Sequence, residues 1–90
     1  MNRITQKDVD YQLKRLNDLT NNPTSTWENG KHTIGNIHTV GQYGYTTIMQ
    51  TVNEGGGVTD LASGLTKREA YQWIRAAISG IYLKEKSNNG

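Results

Sequence analysis

Two stretches with an apolar repeat of helical period, around residues 5–20 and 66–81, bracket a middle segment, 26–61, that reads instead as β. That order restricts the chain to a helix, a small set of strands and a second helix. The first stretch carries Val9, Leu13 and Leu16, continued by Leu19 or Thr20, on one face. Thr5 stands at the cap position and Asp8 three residues later, where Glu or Gln is more usual in a capping box. Ile4 and Val9 flank the cap and can pack together as a staple. Asn21-Asn22-Pro23 closes the element, because Asn tolerates a left-handed exit and Pro cannot continue a helix.

The second stretch opens on Thr66-Lys67-Arg68-Glu69, a full capping box, and runs through Ala70, Trp73, Ile74, Ala77, Ile78 and Ile81. Gly80 is placed to end it in left-handed geometry, with Ile81 packing back. Residues 84–90 then form a polar, flexible tail, and 1–83 a single domain. In the middle segment, Asn29-Gly30 is a strong two-residue hairpin signal, since a type I′ turn needs positive φ twice. Strands are expected over 31–40 and 45–52, joined by a turn at Gly41-Gln42-Tyr43-Gly44, with a short third strand at 58–61. Both helices can cover one face of this sheet, giving an α+β two-layer sandwich. The other face, where Tyr43, Tyr45, Met49 and Trp27 are expected, is left for solvent or a second copy. A homo-oligomer with a ligand site between subunits follows from that reading.

Composition tightens these limits. A chain of 90 residues is one small domain, and it buries only roughly 60–65% of its unfolded surface. Apolar residues make up 33%, Phe is absent, and Trp27 and Trp73 are the largest candidates for the core. There is no cysteine, which removes disulfides and thiolate metal sites and agrees with a cytoplasmic protein. No run approaches a membrane span, and the opening MNRITQKDVD lacks the apolar centre of a signal peptide. A net charge of +2 with scattered Lys and Arg argues against nucleic acid as the partner, but leaves room for a small anion.

The chemistry-bearing residues fall into few groups. Gly55-Gly56-Gly57 follow Val52-Asn53-Glu54, and consecutive glycines are costly in backbone entropy. They suit either a nest of N–H groups for an anion or a tight turn after a strand. No Lys-Ser or Lys-Thr follows them, so they are not a P-loop. The amino end of the second helix favours an anion, and Lys67 and Arg68 add charge there, although Glu69 opposes it. Tyr43 and Tyr45 offer stacking surfaces or packing residues. The candidate ligand-binding set is Asn53, Gly55, Gly56, Lys67, Arg68, Tyr43 and Tyr45. His32 and His38 lie six apart, and only Glu28 or Glu54 could complete a zinc site, so no metal is expected. No nucleophile–base pattern is present; Glu54 and Asp60 read as loop carboxylates. We expect neither a cofactor nor catalysis.

The chain also resembles small uncharacterised accessory proteins of tailed phages and prophages. The likeness rests on Ile4-Thr5-Gln6-Lys7-Asp8, Gly35-Asn36-Ile37-His38, Tyr43-Gly44-Tyr45, residues 52–58 and Thr66-Lys67-Arg68-Glu69-Ala70-Tyr71, and spans roughly residues 3–81. Where such relatives often read Tyr-Gly-Gly, this chain has Tyr43-Gly44-Tyr45. The resemblance implies a counter-defence protein in the host-cell cytoplasm and supplies no residue roles. Its leading form is an oligomer that sequesters a nucleotide-derived immune signal. The alternatives are an inhibitor bound directly to a host defence protein, and a small nucleic-acid-binding regulator.

Overall fold

The computed structural model describes residues 3–88. In chain order the elements are α1 (Gln6–Leu19), β1 (Trp27–Glu28), β2 (Lys31–His32), β3 (Ile37–Gln42), β4 (Tyr45–Thr51), β5 (Val58–Leu65) and α2 (Lys67–Asn88). The fold is α+β. β3, β4 and β5 form an antiparallel meander, and β1 and β2 make a separate two-stranded hairpin.

Local chemistry sets the element ends. Thr5 caps α1: its hydroxyl accepts from the Asp8 N–H, and Asp8 accepts from the Thr5 N–H at 2.8 Å. The bond from the Thr5 backbone, then that from its side chain, holds the Asp8 carboxyl below its ordinary range. At the other end Asn21 adopts φ +58, Asn22 N–H donates to the Asn17 carbonyl and Asn21 N–H to that of Asp18. That is a Schellman closure with Asn in the left-handed position. In α2, Thr66 and Glu69 form the reciprocal capping pair expected of them.

Both helices cover one face of the meander, α1 lying against β3 and α2 against β4 and β5. The core between the layers holds Val9, Leu13 and Leu16 from α1, Ile37 and Ile48 from the sheet, and Ala70, Ile74 and Ile78 from α2. Ile48 and Ile74 are fully buried, each contributing about 2–3 kcal/mol of burial. Ala62, Leu65, Trp73, Ala77 and Ile81 pack around them. With two layers, the molecule is only 19 Å across its thin axis.

A buried amide fastens α1 to the sheet. Asn17, 2% exposed, donates from Nδ2 to the Ile37 carbonyl and accepts at Oδ1 from the Ile37 N–H, both at 2.9 Å. It thereby occupies the edge of β3 as a neighbouring strand would. Just before β3, the Asn36 carbonyl accepts from the Thr51 N–H of β4, and the Gly35 N–H donates to the Thr51 carbonyl.

Several expectations are corrected. Residues 31–40 are not one strand: Gly35 takes φ +95 and Asn36 N–H donates back to the Thr33 carbonyl, so β2 and β3 are distinct and belong to different sheets. β5 runs to Leu65 instead of stopping near residue 61, because two bulges along its pairing with β4 return Ala62 and Leu65 to the core face. Trp27 is not a core residue. It is 53% exposed on β1, edge-on to the His32 ring. Gly80 does not end α2, which continues to Asn88, held past the glycine by Ile81 on the core. The expected tail from residue 84 is therefore helical as far as Asn88, and its last two residues lie outside the described ones. Among the described residues no helix is long and apolar enough to cross a membrane.

Candidate functional site

The register fixes which candidates can meet. Thr51 pairs with Val58 at one end of the β4–β5 ladder and Thr46 with Leu65 at the other. The glycine loop thus lies at the first end, and the β3–β4 turn and the start of α2 lie at the second. The eight residues of β5, at about 3.3 Å each, separate the two by roughly 25 Å. The convergence of Gly55 and Gly56 with Lys67 and Arg68 does not form.

At the first end the loop is closed on itself. Val52 N–H donates to the Gly57 carbonyl, Gly56 N–H to the Asn53 carbonyl, and Gly57 N–H to Asn53 Oδ1. A Cβ on Gly57 would collide with the Asn53 amide. Gly56 takes φ +97, and a Cβ there would lie 2.9 Å from His32 Nε2. His32 N–H in turn donates to the Glu54 carbonyl, and Lys31 pairs with the Glu54 carboxylate at 3.1 Å. The glycines therefore let this loop seat against the β1–β2 hairpin, and the N–H groups of Gly56 and Gly57 are used within it. Gly55 is open apart from an ordinary contact with Asn53.

His32 and His38 part company at the break between β2 and β3. His38 Nδ1 lies 3.1 Å from Asn36 Oδ1, while His32 sits between Trp27 and Gly56. Asn36 Nδ2 donates to the Pro23 carbonyl, so its oxygen faces His38 and the imidazole carries its proton on Nδ1. Among the described residues no cluster of three metal-ligating side chains exists.

The second end brings Tyr43, Tyr45 and Lys67 together. With Gln6, Gln42 and Thr46 they line an open cleft of about 350 Å³. Three elements build it. The β3–β4 turn supplies the tyrosines, and the first turns of α1 and α2 supply Gln6 and Lys67. Both helices begin here; α1 ends at the opposite end, where Asn17 meets Ile37. One ammonium, that of Lys67, lines the cleft, and it makes no ion pair among the described residues. Asp8 and Glu69 are turned back onto their own caps.

Tyr43 is the unusual member. The loops Asn29-Gly30 and Tyr43-Gly44 are both two-residue turns with positive φ at each position, +54 and +76 in the first, +53 and +81 in the second. Asn suits that conformation. A bulky side chain does not, at a cost of about 1 kcal/mol or more. Tyr43 nonetheless occupies it and is 91% exposed, so it gains no burial in return. Tyr45, 56% exposed, stands on the uncovered sheet face with Val40. Arg68 does not join this cleft. It lines the outer face of α2 with Tyr71 and Arg75. The sequence reading missed Asn17, Gln12, Asn36 and Thr51, all polar and buried. The spacing of Asn17 and Asn36 carries no signal, because their partners Ile37 and Pro23 lie in other segments of the chain, whereas Gln12 is bonded to Arg15 within α1. Comparison with protein-family models, curated proteins and solved structures finds no match to this chain.

Proposed function

We propose that this chain is a non-enzymatic binding protein whose recognition end is the cleft at the β3–β4 turn. The observation that carries the reading is Tyr43, fully presented to solvent in a backbone conformation that penalises it. Strain held at an exposed aromatic tip is retained where the side chain serves a contact. Tyr43 and Tyr45 provide stacking faces, while Lys67 favours negative charge. A planar, anionic ligand of nucleotide type fits that combination. Sequestration of a nucleotide-derived signal, as the phage resemblance implies, is the corresponding role, with Tyr43, Tyr45 and Lys67 carrying it. The open cleft of one chain covers a nucleotide on one side only, so a second copy closes it in this reading. Calorimetric titration with a panel of cyclic and linear nucleotides tests the proposal. Saturable, stoichiometric heat with at least one of them is expected; no heat across the panel would remove it.

One observation favours a second reading. Val40 and Tyr45 are exposed apolar residues on neighbouring strands of the sheet face opposite the helices. A host protein docked there would make the chain a direct inhibitor. In that case a partner co-purifies with the tagged chain and is released by Val40→Lys.

A further inference from the structure

Three of the four arginines, Arg15, Arg68 and Arg75, lie on the outer surface of the helical layer. Two of them come from different helices and line one cleft of about 210 Å³ between α1 and α2, together with Gln12, Ser79 and Tyr82. Cations placed side by side on separate elements repel one another unless something negative lies between them. No carboxylate lines this cleft. Of the helical acids, Asp8 is engaged on Thr5, Asp10 on Gln6, Asp18 on Lys14 and Glu69 on Thr66, and Glu85 is outside the lining of this cleft. Neither Arg15 nor Arg75 makes an ion pair among the described residues.

Both guanidinium groups are also held in place. Arg15 Nη1 donates to Gln12 Oε1 at 3.1 Å, and Gln12 is only 6% exposed, so its amide is fixed by the fold. The Arg75 guanidinium sits 5.8 Å from the centre of the Tyr71 ring, an attraction that steadies it. Guanidinium groups present planar forks of N–H donors that match phosphate oxygens. The Ser79 and Tyr82 hydroxyls add neutral donors at the same place.

We propose that this cleft is a binding site for a phosphoryl group, with Arg15 and Arg75 as its clamps and Ser79 and Tyr82 as supporting donors. It is separate from the Tyr43 cleft and does not depend on it. A phosphoryl group reaches such a site from a free nucleotide or from the backbone of a single-stranded nucleic acid, and the two sources are separable by length dependence.

The test follows thermal stability of the full chain in inorganic pyrophosphate, against sodium chloride of equal ionic strength. Pyrophosphate is expected to raise Tm above the chloride control, with the shift lost in Arg75→Gln and in Arg15→Gln. Arg15→Lys keeps the charge without the fork and retains only part of the shift. Lys7→Gln, which removes an exposed cation outside the cleft, retains it in full and separates the site from general charge screening. Calorimetry with adenosine monophosphate and with oligothymidylates then identifies the source. Length-independent binding assigns a nucleotide, and affinity rising with length assigns a nucleic-acid strand. In either case Arg75→Gln weakens binding by about tenfold or more. No shift beyond the chloride control, or an equal shift in the Arg→Gln variants, would overturn the proposal.

Discussion

Glycines at two positions in this chain do different work, and substitution separates them. Gly56 is held at φ +97 with the His32 ring where a Cβ would stand. Gly56→Ala should lose about 2 kcal/mol, from left-handed strain and displacement of His32, visible as a lower midpoint in urea. Gly80 is the opposite case. It lies inside α2 with open space around its Cβ position and no positive φ. Gly80→Ala should gain about 1 kcal/mol, or about 4–8 °C in Tm for a domain of this size. In the sequence the two look alike as breakers. Only the backbone angle and the neighbouring ring distinguish them, and neither is a local property of the chain.

At the scale of elements, Asn17 does for β3 what another strand would do. Asn17→Leu keeps the volume but leaves the Ile37 N–H and C=O without partners in a buried place. A loss of about 2–4 kcal/mol is expected, measurable by chemical denaturation, with added aggregation because the edge is reopened. The caps of both helices, the stop at Asn21 and the Asn29-Gly30 turn were legible in the sequence, since each depends on residues within a few positions of one another. The break between β2 and β3 was not, because Thr33-Ile34 reads as strand until Gly35 is seen turning the chain toward Thr51. The far half of β5 was hidden for a related reason. Ser63 and Gly64 resemble loop residues, yet they sit in a bulged strand whose Ala62 and Leu65 face the core. The candidate site suffered most from this. Treated as loop, the residues between Gly57 and Thr66 bring glycines and cations together; as strand, they hold them apart. Tyr43, Tyr45 and Lys67 survive as neighbours because the turn and the helix start share one end of the ladder.

For the whole molecule, a three-stranded meander covered on one face by two helices leaves the turn end of its other face open, while Thr51 at the far end of that face is buried. Val40 and Tyr45 are exposed at that open end, and a second copy laid across them would also close the Tyr43 cleft. Native mass spectrometry should then show a multiple of the chain mass, reduced to the monomer by Val40→Lys. A monomer at micromolar concentration would leave that face to another partner. The stability of the fold does not require Tyr43: the same turn geometry is made at Asn29 by a residue suited to it.

The central claim is that Tyr43 is kept for contact at the expense of the turn. The most direct measurement pairs thermal unfolding with nucleotide calorimetry on Tyr43→Asn. Stability should rise by about 1 kcal/mol while the nucleotide binding that survives in Arg75→Gln is lost. A variant that binds as the parent does, or whose stability falls, would contradict the claim.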